Sequence, residues 1–392
     1  MKNNKTNYVL SETILLLHKF VYMKKILHLS GAISWGGNEQ QLVDAIFGLD
    51  KLSIENIIYC FKDSPLESYA KKNYLMFESV PKAKLFSYKY TKALSKYVKK
   101  HNINIIHLHT SDSVTAFVVA DLLFHLKTPA VFSKKGISTK KKGLSIYKYN
   151  YKNIKKIVCV SNAVKKSFKT TLKPKNHHKL SIVYDGIKIE RKENKSQVNL
   201  RDNYKIPKEK IVIGNIANHT RAKDLITFIK TVNELVNVEN IKNVHFVQIG
   251  KQGKYSNNFI PLIKEYNLEE YITITGFMEN AMDILSQFDI YMMTSEREGL
   301  PITIYEAFLK KTPVVSTKAG GIPEAITHNE NGLLSEIKDY KHLAKNLKLL
   351  IFNSKLQNKF ADKSYELLFA KFTTIQLAAN TLKIYKDILN EK

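Results

Sequence analysis

DIYMMTSEREGLPITIYEAFLKKTPVVSTKAGGIPEAI, residues 289–326, carries the reading of the fold. The apolar run DIYMM, 289–293, reads as a strand buried on both faces. Gly299 and Pro301 mark a turn directly after it, and a helix opens near Pro301, where proline suits the first helical position. A second strand-like run, PVVST, follows at 313–317. Strand, helix and strand in succession predict one unit of a parallel, doubly wound sheet. Two carboxylates sit on this unit. Glu298 lies on the strand-to-helix loop, beside the free N–H groups of the helix start, and Glu306 lies one to two turns into the helix. Carboxylates so placed can accept paired hydrogen bonds from sugar or ribose hydroxyls. Helix capping plus a solvated glutamate would explain the pair alone. The ordered run of strand, EGLP, YEA, PVVST and AGG is far more specific.

The same alternation extends outward in both directions. Toward the C-terminal half, IVIGNI (211–216), VHFVQIG (244–250) and YITITG (271–276) read as further strands, with helical patterns at 222–238, 280–287, 301–310 and 339–352. Toward the N-terminus, the expected strands are KILHLS (25–30), NIIYCF (56–61), AKLFS (83–87), IIHLH (105–109), AVFSK (130–134), IVCV (157–160) and SIVY (181–184). Amphipathic stretches at 39–49, 90–101, 113–126 and 162–169 separate them. The pattern breaks over the polar segment from Gly186 to Pro207. The expected organisation is an N-terminal Rossmann-like acceptor domain over 23–190, a linker over 191–207 and a C-terminal donor domain over 208–372. A last helix within 373–392 is expected to pack back on the first domain. Met23 opens MKKILHLSG like a natural first strand, so residues 1–22 are set apart as an extension or a misassigned start.

Composition narrows the class. With 392 residues, two domains are expected, because single cores stop growing near 250–300 residues. Hydrophobic residues at 44% and charged residues at 25% argue for a globular chain and against disorder. The net charge of +27 is concentrated: no acidic residue lies between Glu78 and Asp112, or between Asp121 and Asp185. The second of these stretches includes Lys134, Lys135, Lys140, Lys141, Lys142, Lys155, Lys156, Lys165 and Lys166. Such a face attracts phosphates on nucleotide, lipid or nucleic acid; lysines on solvated helix faces explain it as well. Cys60 and Cys159 both sit in apolar runs and read as buried thiols rather than a disulfide. No apolar run reaches the roughly 20 residues that span a bilayer.

With these motifs in place, the chain from Met23 to about residue 370 resembles the family 4 glycosyltransferases. The segment around Glu298 and Glu306 is similar to that family's paired-glutamate region. The resemblance implies the GT-B fold: α/β, two Rossmann-like doubly wound domains with an interdomain cleft. It implies that Glu298 contacts the transferred sugar and donor phosphate region, that Glu306 binds the donor ribose, and that the backbone of Gly299 and Leu300 approaches the diphosphate. Gly36 and Gly37 in GAISWGGNEQQ resemble the family's glycine loop, where close backbone approach to a phosphate is possible. His109, ending NIIHLH, matches the histidine that hydrogen-bonds the transferred sugar; a polar residue closing a strand is the plainer reading. In VCVSNAVKKSF, Ser161 and Asn162 resemble a family segment, and capping of the next helix explains them adequately. In IGNIANHTRAKD, Lys223 matches a lysine that neutralises the diphosphate. Asn218 stands where the family has an arginine, and Arg221 is the nearby cation. Gly276 and Phe277 correspond to the nucleobase-holding position.

What the resemblance implies about function follows. A sugar moves from a nucleotide-diphosphate sugar to a glycan or polyprenyl-diphosphate-linked acceptor, with the anomeric configuration retained. The pathway is bacterial envelope polysaccharide: O-antigen, capsule or lipopolysaccharide. No cofactor is expected. The sequence shows no Asp-x-Asp motif and no histidine cluster, so a metal-independent reaction is expected, with lysine and N–H donors facing the leaving diphosphate. A cytoplasmic location is expected, peripheral on the inner face of the cytoplasmic membrane through the basic N-terminal domain. Three other readings stand beside this one: a different GT-B activity such as a nucleotide-sugar epimerase, a sucrose synthase or a glycogen synthase; a nucleic-acid-binding protein, suggested by charge alone; and a non-catalytic scaffold, suggested by Asn218.

Overall fold

The computed structural model of the chain describes residues 24–52, 54–137, 143–193 and 196–390. The proposed extension 1–22 and the lysines 140–142 lie outside these described residues. The chain divides into two compact units. One takes the described residues up to Val160, then Lys165–Gly186, then the chain from Thr374 onward; the other takes Ser161–Val164 and Ile187–Thr373.

In the first unit the strands are β1 (Lys24–Leu29), β2 (Ile54–Phe61), β3 (Phe77–Val80), β4 (Ile105–Leu108), β5 (Ala130–Lys134), β6 (Ile154–Cys159) and β7 (Leu180–Ile182). Between them run α1 (Gly37–Asp50), α2 (Pro65–Lys72), α3 (Tyr88–Lys100), α4 (Ser111–Phe124), α5 (Gly143–Tyr149) and α6 (Asn162–Lys169). The sheet is parallel throughout, in the order β3-β2-β1-β4-β5-β6-β7. This is the Rossmann order, and its reversal point lies between β1 and β4. Isoleucines and valines at zero exposure (Ile26, Ile105, Val131) build its interior, as continuous apolar strands require when both faces are covered.

One expected strand is not there. Residues 83–87 form a turn that leads to Ser87, whose hydroxyl accepts from Tyr90 N and caps α3. The strand at this edge is FESV instead. As the outermost strand it is only half-buried, so it carries Glu78 and lacks the unbroken apolar run that marks its neighbours.

The second unit repeats the plan. Its strands are β8 (Ile211–Ile216), β9 (Val244–Ile249), β10 (Ile272–Gly276), β11 (Ile290–Met293), β12 (Val314–Thr317) and β13 (Leu333–Ser335). Its helices are α7 (Leu200–Asn203), α8 (Leu225–Asn233), α9 (Ile260–Glu265), α10 (Ile302–Leu309), α11 (Tyr340–Ile351) and α12 (Ser354–Lys371). The order β10-β9-β8-β11-β12-β13 again reverses between the first and fourth strands, here β8 and β11. The core joins β8, β9, α8 and α11 through Ile213, Phe246, Phe228 and Leu347, all fully buried. Residues from Val198 on, within the segment expected as a linker, fold onto this unit: Leu200 is fully buried and its N–H donates to the Gln287 side chain. The last helix, α13 (Thr374–Asn390), belongs to the first unit. It lies against α1 and brings Leu377, Ile384, Tyr385 and Ile388 into the core that holds Ile26 and Ile105.

Candidate active site

In doubly wound sheets, ligands bind beyond the carboxyl ends of the strands at the reversal point. In each unit some of the sequence-selected residues lie at that point, while Gly276 and Phe277 end the edge strand β10.

In the second unit the two loops leaving β8 and β11 are stapled together. Glu296 N–H donates to the Ala222 carbonyl at 2.9 Å. The buried Thr294 hydroxyl donates to the Lys223 and Asp224 carbonyls at 3.2 and 3.1 Å. Across this staple Lys223 Nζ reaches Glu298 Oε1 at 2.6 Å, and the Ser295 hydroxyl donates to the same oxygen at 2.7 Å. The Glu298 side chain is 10% exposed and that of Lys223 25%. The result is a fixed cation and a fixed carboxylate at one sheet end. The Glu298 loop is itself held from behind. Gly321 N–H donates to the Gly299 carbonyl, and a Cβ on Gly321 would lie 2.2 Å from that oxygen, so the second glycine of AGG allows the approach.

Glu306 is half-buried on α10. Burial, with the charges of Glu306 and then Glu298 adding to it, pushes the Tyr291 hydroxyl up from its ordinary value. Leu300 is buried beneath the loop. Gly276 ends β10 at φ +78°, a backbone that favours glycine, and the Phe277 ring next to it is 69% exposed. Arg221 is not brought to the Lys223–Glu298 pair. Its side chain is 81% exposed and faces Glu296 at 3.4 Å. It borders a cavity of about 330 Å³ shared with Lys230, Glu296 and Lys338. Asn218, at the position of the family's arginine, accepts from Lys251 N–H at 2.8 Å. Ser161 caps the following turn, accepting from Val164 N–H at 3.1 Å.

In the first unit the reversal point carries histidines. His28 on β1 and His107 on β4 are direct register partners, and His109 follows two residues on, its N–H bonded to the Leu29 carbonyl. His28 Nδ1 and His109 Nε2 are 3.0 Å apart, and the His107 and His109 rings stack at 4.3 Å. Burial pushes His28 down to about 4. Burial, then neighbouring histidines and Lys135, hold His107 and His109 well below the ordinary histidine range. All three are neutral rings at pH 7.

This cluster corrects the sequence expectation of no histidine group. The ligand-type nitrogens lie within 4.8 Å of one another. They are engaged with protein partners, however: His28 Nε2 with Asn56, and the two His107 nitrogens with Tyr385 and Ser133. A metal held by His107 would have to displace Tyr385 or Ser133 from one of its nitrogens. The signal was present in the sequence. ILHL and IIHL end two strands that the Rossmann order makes neighbours, which pairs their histidines.

Gly36 caps α1 with extended backbone, and a Cβ on Gly37 would meet nothing within 4 Å. The fold itself does not require glycine there, and the helix start is left open. The nearest anion is Glu39, whose burial raises its carboxyl while bonds from its own N–H and that of Gly36 oppose the rise. Among the described residues no helix is long and apolar enough to cross a membrane.

Comparison with known proteins bears on the family and the fold. A family model described as Glycosyltransferase Family 4 matches residues 35–191, and one described as Glycosyl transferases group 1 matches residues 196–367. The chain is 19% identical over 305 residues to the N-acetyl-alpha-D-glucosaminyl L-malate synthase of Bacillus anthracis, covering 76% of this chain and 78% of that one. It is 23% identical over 213 residues to the O-antigen biosynthesis glycosyltransferase WclY of Escherichia coli, covering 54% of this chain and 57% of that one. The crystal structure of Anabaena HepE in complex with UDP-glucose shares the fold, with a TM-score of 0.79 at 18% identity over 94% of this chain and 100% of that one. Two parallel sheets in Rossmann order, each matched by its own family model, place the chain in glycosyltransferase family 4, with the GT-B fold.

Proposed function

We propose that this glycosyltransferase moves a hexose-type sugar from a nucleoside-diphosphate sugar to a glycan or polyprenyl-diphosphate-linked acceptor, retaining the anomeric configuration, in the synthesis of a bacterial envelope polysaccharide. The observation that carries the reading is the Lys223–Glu298 pair at the reversal point of the second sheet. A departing diphosphate needs positive charge and N–H donors that are already in place. Lys223 supplies the charge, the start of α10 supplies N–H groups, and neither requires a metal. Glu298 keeps the ammonium aimed in the resting enzyme, and its second oxygen is left for a sugar hydroxyl. Glu306 on α10 takes the ribose hydroxyls, and the exposed Phe277 ring offers a face to the nucleobase. His109 hydrogen-bonds the transferred sugar. Attack from the face the diphosphate leaves lets a phosphate oxygen take the acceptor proton. The UDP-glucose bound by Anabaena HepE and the O-antigen role in WclY's name favour this donor class and pathway. The basic first unit suits an anionic membrane surface on the cytoplasmic side.

The test is a screen of UDP, GDP, ADP and their sugars by thermal shift, followed by transfer assays with the stabilising donor. A true donor at 100 times its dissociation constant should stabilise the fold by about 2.7 kcal/mol. Glu298→Ala should abolish transfer while leaving the protein folded. Transfer unchanged in that variant, or no response to any nucleotide, would sink the proposal.

A further inference from the structure

We infer that His28 is a positioning residue: through Asp50, Asn56 and His28 the fold fixes His109 with its proton on Nε2, so that His109 offers substrate a bare Nδ1, a hydrogen-bond acceptor. The argument runs along one chain of bonds within the first unit. Asn56 Nδ2 lies 2.7 Å from Asp50 Oδ1 and 3.1 Å from the Ile54 carbonyl. Both of those atoms accept, so the amide must turn its NH₂ toward them. Asn56 Oδ1 is then the atom that faces His28 Nε2 at 2.9 Å, and His28 Nε2 must carry a hydrogen. A neutral imidazole has one N–H, so His28 Nδ1 bears a lone pair. That lone pair faces His109 Nε2 at 3.0 Å, so His109 Nε2 is the donor. Neutral in its turn, His109 is left with a lone pair on Nδ1, and no described residue is hydrogen-bonded to that atom.

Burial makes neutrality the consistent state. His28 and His109 are 0% and 7% exposed, and the Lys135 charge nearby opposes a proton on His109. Nothing else at the His28–Asn56 end can reverse the order, because the Ile54 carbonyl accepts whatever the state of Asp50. His107 does not compete, since both its nitrogens are bonded to hydroxyls of Tyr385 and Ser133. The consequence is chemical. His109 takes an O–H or N–H from its ligand and does not give one. The role rests on the reading above that His109 meets the transferred sugar.

The test uses the full chain labelled with ¹⁵N-histidine, with the His109 resonances assigned by their loss in His109→Gln. The expected spectrum shows His109 protonated at Nε2 and bare at Nδ1. In Asn56→Leu the order is released and both tautomers should appear at His28 and His109. Kinetics supply the second arm. His28→Leu should lower kcat/KM for transfer about tenfold or more, since misplacing a contact by about an ångström can cost up to about a hundredfold. His28→Asn, whose Oδ1 can stand where Nδ1 stood, should recover most of that loss, which a merely structural role would not predict. A proton on His109 Nδ1 in the wild type would overturn the inference. So would a His28→Leu enzyme as active as wild type when His109→Ala is dead. Full transfer by His109→Ala would instead overturn the reading that His109 meets the sugar, and the positioning role with it, while the nucleotide response and the Glu298→Ala result would stand unaffected.

Discussion

At the scale of single residues, the site depends on groups held before substrate arrives. Lys223 has one carboxylate partner at 2.6 Å, and its backbone carbonyl is tied to Thr294. In the proposed reaction the ammonium would therefore spend little entropy on being aimed at a diphosphate. Lys223→Met should lower kcat/KM by about a hundredfold, the scale of losing one preorganised donor, as steady-state transfer kinetics would show. Lys223→Arg should not restore the wild-type rate, because a planar fork does not occupy the place of a point charge. Asn218 was a departure visible in the sequence, and Arg221 was the nearest cation to replace the missing arginine. The side chain instead faces Glu296, an outcome set by which way a 3₁₀ turn aims its first residue and invisible to residue spacing.

At the scale of elements, helix starts do most of the placing. Thr110 caps α4 directly after His109. Its hydroxyl accepts from Ser113 N–H, and the Ser113 hydroxyl lies against Thr110 N–H in return. This capping box fixes where β4 ends and so where His109 stands. Thr110→Ala should cost about 1 kcal/mol of stability, measurable as a lowered urea midpoint with unchanged slope. The interior strands were legible from their runs of Ile and Val. Of the edge strands, β10 and most of β7 were legible as well, but β3 and β13 were not: β3 is half-exposed and mixed, and β13 is only three residues long. β3 pairs on one side and is covered less, so its composition need not be apolar and periodicity loses it, whereas β13 is buried but too short to show a period.

At the scale of the molecule, the buried histidines make the first unit sensitive to acid. In the unfolded chain they take protons near 6.5, whereas in the fold His28 does so only near 4, with His107 and His109 also well below the ordinary value. Between those values the unfolded chain binds more protons. Stability is then complete above about 6.5 and falls as the pH drops toward about 4. His28 alone contributes on the order of 3 kcal/mol to that loss. Urea unfolding at a series of pH values should show the decline, and His28→Asn should flatten it; an unchanged pH profile in that variant would contradict the burial argument. The same unit depends on the far end of the chain. Tyr385 of α13 bonds His107 Nδ1 at 2.6 Å while Ile384 and Ile388 fill the core. The final helix thus serves the histidine face as well as the packing.

What the sequence determined by itself was local and periodic. Apolar runs alternating with amphipathic stretches required parallel doubly wound sheets, and glycine, proline and carboxylate spacing marked the loops at the strand ends. Those signals survive in one dimension because each belongs to a single element. Contacts across elements needed the tertiary structure. The Lys223–Glu298 pair joins residues 75 apart in the chain, and the His28–His109 pair residues 81 apart. Such partners are decided by strand order and register, and by which face each side chain shares, which the fold sets as a whole when it buries its core.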